Sequence, residues 1–255
     1  MTVAIGLVCS DGVLVASDSM GSSGRVAAPI RKVHALKQAP AVWTYAGSLF
    51  MGQTIEAALA APEVDRREAS PSDLLAAISP SLRASYATAT VPPGGTTTAL
   101  LPHATDALVL TWRDGAPSFS RIQQDLTVVD CHRETLVAIG SGNEYASVVR
   151  AALAHYIDGP VDLHLGMILA FRVISTVCDV SAWNVAPPVQ VAVADSSGAR
   201  VLDAPDVDEL ADLCSRWVAV ERSSLRLARD RAIGGVAGDL PTLPSTGDGD
   251  STRAS

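Results

Sequence analysis

Aromatic side chains are scarce in this chain. Phenylalanine, tryptophan and tyrosine together make up 4% of its 255 residues, while apolar residues of all kinds make up 48%. The core must therefore be built from alanine, valine, leucine and isoleucine, as in an ordinary globular protein. The length allows one large domain or two small ones. Concentrated positive charge is also missing: 19 Lys and Arg face 27 Asp and Glu, for a net charge of -8, and no basic cluster stands out. That speaks against a nucleic-acid surface, which needs gathered Lys and Arg. The start has no basic segment followed by a long apolar stretch, so no signal peptide is expected. No apolar run reaches the roughly 20 residues of a membrane span, so no membrane association is expected. A cytoplasmic protein is the default. Cys9, Cys131, Cys178 and Cys214 are far apart and form no C-x-x-C pair. Their spacing supports neither a zinc site nor a disulfide scaffold, and buried free thiols are the plain reading. His34, His103, His132, His155 and His164 are equally scattered, without metal-ligand spacing. No metal or cofactor is expected.

What is present begins with a hairpin. Thr2 to Cys9 and Val13 to Asp18 alternate around Ser10-Asp11-Gly12, where Gly12 suits a three-residue loop. Strands are predicted near Ile30–Leu36 and Ala41–Ala46, then a helix through Phe50–Ala61. A second helix, Ser72–Ala89, should kink or break at Pro80, and Pro92-Pro93-Gly94-Gly95 ends it. Thr96–Leu101, Ala107–Trp112 and Ser118–Ile122 read as a meander, followed by shorter strands at Leu126–Asp130 and Leu136–Ile139. Two helices, Glu144–Ile157 and Leu163–Cys178, precede strands at Val189–Ala194 and Arg200–Leu202. A last helix, Val207–Ala232, carries Leu210, Leu213, Trp217, Val220 and Leu227 at helical spacing. Asp203, Asp206, Asp208 and Glu209 at its start read as capping and dipole charges. From Gly234 the composition is that of a disordered tail. Strands in runs, separated by helix pairs, suggest two antiparallel sheets between helix layers rather than a doubly wound sheet.

The chemistry, if any, starts at Thr2. A threonine hydroxyl needs a base beside it, and an N-terminal threonine carries one in its own α-amine. The amine's reference pKa of about 7.7–8.0 leaves roughly a tenth to a fifth of it neutral at pH 7, and a nearby lysine cation would raise that fraction. Met1 must first be removed, since otherwise the nitrogen of Thr2 is a nonbasic amide. Threonine's small side chain is compatible with that removal. With a three-residue loop, Ala4 faces Asp18, and Thr2 lies diagonally from Asp18 on one face, roughly 7–8 Å away. A two-residue loop would put Asp18 on the other face.

In this order and spacing, "TVAIGLVCSDGVLVASDS", "RKVHAL", "YAGS" and "AIGSGNEYA" resemble the successive motifs of proteasome β-type subunits, over about Thr2 to Leu202. These are N-terminal-nucleophile (Ntn) hydrolases. The bacterial flavours, a two-component protease's peptidase or the ancestral β-subunit group, are nearest. The resemblance implies an α+β fold, a four-layer αββα sandwich, and a threonine-type peptidase acting through an acyl-enzyme in a homo-oligomer. It implies peptide or unfolded-protein substrates and leaves an ATP-dependent unfoldase partner open. By motif, Thr2 is the nucleophile, Asp18 holds Lys32, Gly47 offers an oxyanion N–H, Ser141 bonds the terminal amine, and Asp179 supports Thr2 from a later loop. Gly21, Ile30, Tyr45 and Leu49 would line the first specificity pocket. The family pattern often has serine three residues after that aspartate, where this chain has Ala182, with Ser181 one place early. Only Met1 precedes Thr2, so autolytic maturation would not be needed.

Plainer readings stand beside these. Thr2 is then a strand start, Asp18 a strand-end carboxylate, Lys32 a solvated lysine, Gly47 a turn residue and Ser141 a helix cap or part of an anion loop. A small-molecule amidase, an acyl-transfer ligase and an inert structural subunit are the rival functions. The expected division is a hydrolase domain over 1–205, a helical extension over 206–233 and a disordered tail over 234–255.

Overall fold

The computed structural model describes residues 2–23, 26–36, 39–60, 70–90, 105–123, 125, 127–156, 159–180 and 185–233. The strand expected at Thr96–Leu101, the Pro92–Gly95 helix end, Ser181, Ala182 and the tail over 234–255 lie outside them.

The chain opens with β1 (Ala4–Val8) and β2 (Gly12–Ser17), then β3 (Met20–Ser23), β4 (Val26–Pro29), β5 (Val33–Ala35) and β6 (Ala41–Ala46). Helices α1 (Leu49–Ala60) and α2 (Pro71–Thr90) follow, then β7 (Asp106–Arg113), β8 (Ala116–Ile122), β9 (Val128–Asp130) and β10 (Leu136–Ile139). The remainder is α3 (Asn143–Leu153) with a 3-10 turn at Ala154–Tyr156, α4 (Leu163–Val180), β11 (Gln190–Asp195), β12 (Gly198–Val201) and α5 (Ala204–Ile233). One antiparallel sheet runs β10-β1-β2-β11-β12, a second runs β5-β6-β7-β8-β9, and β3 and β4 form a separate ribbon. The mixed fold with antiparallel sheets is as expected. The β3–β4 ribbon was not foreseen, and Ile30–Lys32 lie outside any strand.

The period-2 alternation of β6 divides its environment. Val42 and Ala46 join Val13, Val15, Ile139 and Ala192 of the first sheet in one apolar cluster. Trp43 and Tyr45 point the other way, into a cluster with Ile55 and Leu59 of α1 and Leu74, Leu75 and Ile78 of α2. Helix α2 begins on a reciprocal cap: the Asp73 N–H donates to Ser70 Oγ at 3.2 Å, and the Ser70 N–H donates to Asp73 Oδ2 at 3.1 Å. Pro80 sits inside it without breaking it. Asp203 caps α5 by accepting the Asp206 N–H at 3.0 Å, in line with the capping reading of that acidic stretch.

Helix α4 corrects one expectation. Its 18 residues have a mean hydropathy of 1.6, long and apolar enough to cross a membrane by length and composition. Its buried face, which includes Leu169, Val173 and Val177, packs on β1, β2 and α3 as a core helix does. The chain divides into two compact units, Met1–Cys214 and Ser215–Ser255. In the second, Val220, Leu225 and Leu227 are exposed, so the apolar spacing seen in the sequence does not bury a stripe there.

Candidate active site

The hairpin register differs from the expected one. Cys9 N–H donates to Gly12 O at 2.8 Å, and Ala4 pairs with Ser17, so the loop has two residues. Asp18 therefore stands opposite Val3. Its carboxylate still reaches the start of β1, because Asp18 lies beyond the last ladder residue of β2, where strict face alternation no longer holds. Asp18 Oδ1 accepts the Val3 N–H at 3.0 Å, and Oδ2 accepts the Met20 N–H at 2.9 Å. The expectation that a two-residue loop would separate Asp18 from Thr2 is thus overturned.

Lys32 supplies the link. Its Nζ donates to both Asp18 oxygens at 3.0 Å and to Thr2 Oγ1 at 3.1 Å. The lysine is 2% exposed and the aspartate 0%. Burial lowers the Lys32 pKa from its usual value, while the Asp18 carboxylate opposes the shift and holds the cation. This is no solvated lysine.

The backbone of Thr2 is seated by Gly140-Ser141-Gly142. Thr2 N–H donates to Ser141 Oγ at 3.3 Å, and Gly142 N–H donates to Thr2 O at 3.1 Å. Gly140 has φ +84°, and a Cβ there would run into the Thr2 carbonyl oxygen; one on Gly142 would lie 2.8 Å from Val3 Cβ. Ser141 does not cap α3, whose N-cap is Gly142 without a side-chain bond. Ser17 adds a further hold, its hydroxyl donating to Val3 O at 3.0 Å.

Gly47 follows β6 with φ 126° and precedes the exposed Leu49 at the start of α1. Asp179 is in the last turn of α4, exposed, and not in a loop as expected. Gly21 and Ile30 touch, since a Cβ on Gly21 would lie 2.8 Å from the Ile30 side chain. Tyr45 is buried among Trp43 and His34 and turns its hydroxyl to Arg31 O at 3.4 Å. The structure therefore brings Thr2, Asp18, Lys32 and Ser141 together. It leaves Asp179 exposed in the last turn of α4. A cavity of about 260 Å³ lies elsewhere, lined by residues that include Arg31, Gln190, Leu202, Asp203 and Val207.

Sequence reasoning missed two neighbours of Lys32. Gln190 accepts the Lys32 N–H at 2.9 Å. Cys178, half-buried, feels the charges of Asp18 and Lys32; burial chiefly, and then the two carboxylates Asp18 and Asp179, push its thiol up to about 12. Neither stands in a motif that would have marked it. Among the described residues there is no group of three or more His, Cys, Asp or Glu placed to hold a metal ion.

Thr2, just ahead of β1, meets a buried Lys32–Asp18 pair on a fold of antiparallel sheets and helices. Solved structures of the Anbu (ancestral beta-subunit) proteins share that fold, which is proteasome-like. The helical assembly of the Anbu complex from Pseudomonas aeruginosa is similar at TM-score 0.68 and 17% identity, covering 96% of this chain and 100% of that one. Anbu from Yersinia bercovieri gives TM-score 0.67 at 17% identity, covering 94% and 100%. The Anbu (Gly-1) mutant from Hyphomicrobium sp. strain MC1 gives 0.66 at 14%, covering 89% and 97%. No family model and no curated protein matches the chain. These likenesses correct the assignment to the proteasome β-type subunit family: the similar structures are Anbu proteins, proteasome-like but distinct. At such identity they show the fold alone.

Proposed function

We propose that this chain is a threonine-type Ntn amide hydrolase on a four-layer αββα sandwich, with peptides as substrates. The observation that carries the reading is Lys32 Nζ placed 3.1 Å from Thr2 Oγ1 and held by both oxygens of buried Asp18. With Met1 removed, the Thr2 amine takes the hydroxyl proton as Oγ1 attacks an amide carbonyl. The Lys32 cation favours the neutral amine and stabilises the developing oxyanion of the hydroxyl. Gly47 N–H is the proposed donor to the tetrahedral oxygen. The amine returns its proton to the leaving nitrogen, the acyl ester remains on Thr2, and water activated by the same amine releases it. Ser141 orients the amine. Asp179, in the last turn of α4, is the proposed support of the site from that helix. Gly21 and Ile30 are the pocket pair that contact favours, with Tyr45 and Leu49 flanking them.

The body over 1–205 carries the chemistry, and 206–233 is a helical addition. A cytoplasmic homo-oligomer is proposed, in keeping with the helical assembly of the Pseudomonas aeruginosa protein. Intact-mass spectrometry after treatment with a β-lactone or an epoxyketone tests the reading. The expected result is loss of Met1 and one adduct on Thr2, none on Thr2→Ala, and a slower adduct on Thr2→Ser. Undiminished turnover of a fluorogenic peptide by Thr2→Ala would remove Thr2 as nucleophile.

A further inference from the structure

Residues 30–32 lie between β4, which ends at Pro29, and β5, which begins at Val33. No strand ladder fixes them, yet Lys32 has to keep its ammonium on Thr2 and Asp18. The Ile30 N–H donates to Ser19 O at 2.8 Å, and the Tyr45 hydroxyl donates to Arg31 O at 3.4 Å. Gln190 spans the segment. Its Nε2 donates to Ile30 O at 2.7 Å, and its Oε1 accepts the Lys32 N–H at 2.9 Å.

A carboxamide offers the same donor and acceptor as a peptide group. Gln190 thus occupies the place of a missing strand neighbour, satisfying the backbone on both sides of Arg31. It is also the first residue of β11, paired with Ser17 of β2, and Ser17 directly precedes Asp18. One register therefore fixes the carboxylate and, through the Gln190 amide, the lysine that it binds.

We propose that Gln190 is a positioning residue that sets the distance from the Lys32 ammonium to Thr2 by serving as a side-chain strand for Ile30–Lys32. The proposal rests on the reading of Thr2 and Lys32 given above. Gln190→Met keeps the length and loses both hydrogen bonds. Its acylation by a β-lactone should slow about tenfold or more, as expected when a preorganised charge is loosened. The midpoint of its rate–pH profile should rise, because a cation drawn away from the Thr2 amine no longer depresses that amine's pKa. A role confined to stability would lower the melting temperature and leave the profile of the folded enzyme in place.

Nitrogen-15 NMR of the Lys32 ammonium supplies a readout that needs no activity. The resonance should move in Gln190→Met. If that variant does not fold, Gln190→Asn takes its place, since it keeps the amide but is one methylene too short to span both partners, and the same directions are expected. An unchanged pH profile together with an unmoved ammonium resonance would overturn the proposal. If the wild type forms no adduct on Thr2, the proposed function falls, while a displaced ammonium still upholds the positioning by Gln190 and an unmoved one still refutes it.

Discussion

His34 is buried at 7% exposure, its Nε2 without a partner among the described residues, and is stacked on Trp43 at a centroid distance of 4.0 Å. Its Nδ1 lies 3.5 Å from Glu56 Oε1, and the Arg31 guanidinium also acts on it. Burial first, and then Arg31, push its pKa down from 6.5 to about 4. The folded imidazole binds its proton less readily than the unfolded one. Its contribution to stability is therefore complete above pH 6.5 and is lost as pH falls towards 4. The difference corresponds to at most about 3 kcal/mol. Urea titrations should show the wild type losing more stability across that window than His34→Phe, which keeps the stacking and has no proton to take up. Equal losses would mean that other groups govern the acid limb. At this scale the sequence made Thr2, Asp18, Lys32 and Ser141 legible, because each stands inside an ordered motif. Gln190 was not legible: a polar residue opening a strand has no period and no motif, and its partners lie 158 and 160 residues away.

Among the elements, the two-residue β1–β2 loop shows how far alternation can be trusted. The pattern of β1 and β2 set the strands correctly, but the register turned on whether Gly12 belonged to the loop or to the ladder, where it pairs with Asp195. The ribbon β3–β4 escaped notice because Met20–Ser23 alternates no apolar residues. The motif after β10 already pointed Ser141 at the Thr2 nitrogen, with a helix cap as the plainer reading, whereas the close packing of Gly140 and Gly142 against Thr2 and Val3 is visible only in three dimensions. Gly140→Ala tests that seat. The added Cβ would run into the Thr2 carbonyl, at a backbone angle of +84° that alanine resists. A stability loss of about 1–3 kcal/mol is expected. With it should come a loss of Thr2 acylation greater than stability alone explains, measured on folded protein. Near-normal acylation would show that the seat yields without moving Thr2.

For the whole molecule, the general architecture was readable from runs of strands and helix pairs, since these reflect burial on one or both faces of each element. The homo-oligomer was implied by the family resemblance and not by the residues themselves, because a surface that meets another copy looks like any other apolar excess. Helix α3 leaves Tyr145 49% and Val148 70% exposed. If this face joins copies, Tyr145→Glu combined with Val148→Glu should lower the mass found by light scattering at micromolar concentration and leave the circular dichroism unchanged. A wild type of single-chain mass would argue against the homo-oligomer and favour a small-molecule amidase.

Strand β1 has β2 on one side and β10 on the other, so Ala4 is paired across to both Ser17 and Ile139. The order of synthesis then matters. Thr2 leaves the ribosome more than a hundred residues before its seat at Gly140–Gly142, and the Gln190 brace for Lys32 comes later still. Throughout that interval the nascent chain carries Thr2, Asp18 and Lys32 without the seat and the brace that hold them in place. The constellation closes only when nearly the whole body has been made, so the earliest residue of the site is completed by the latest.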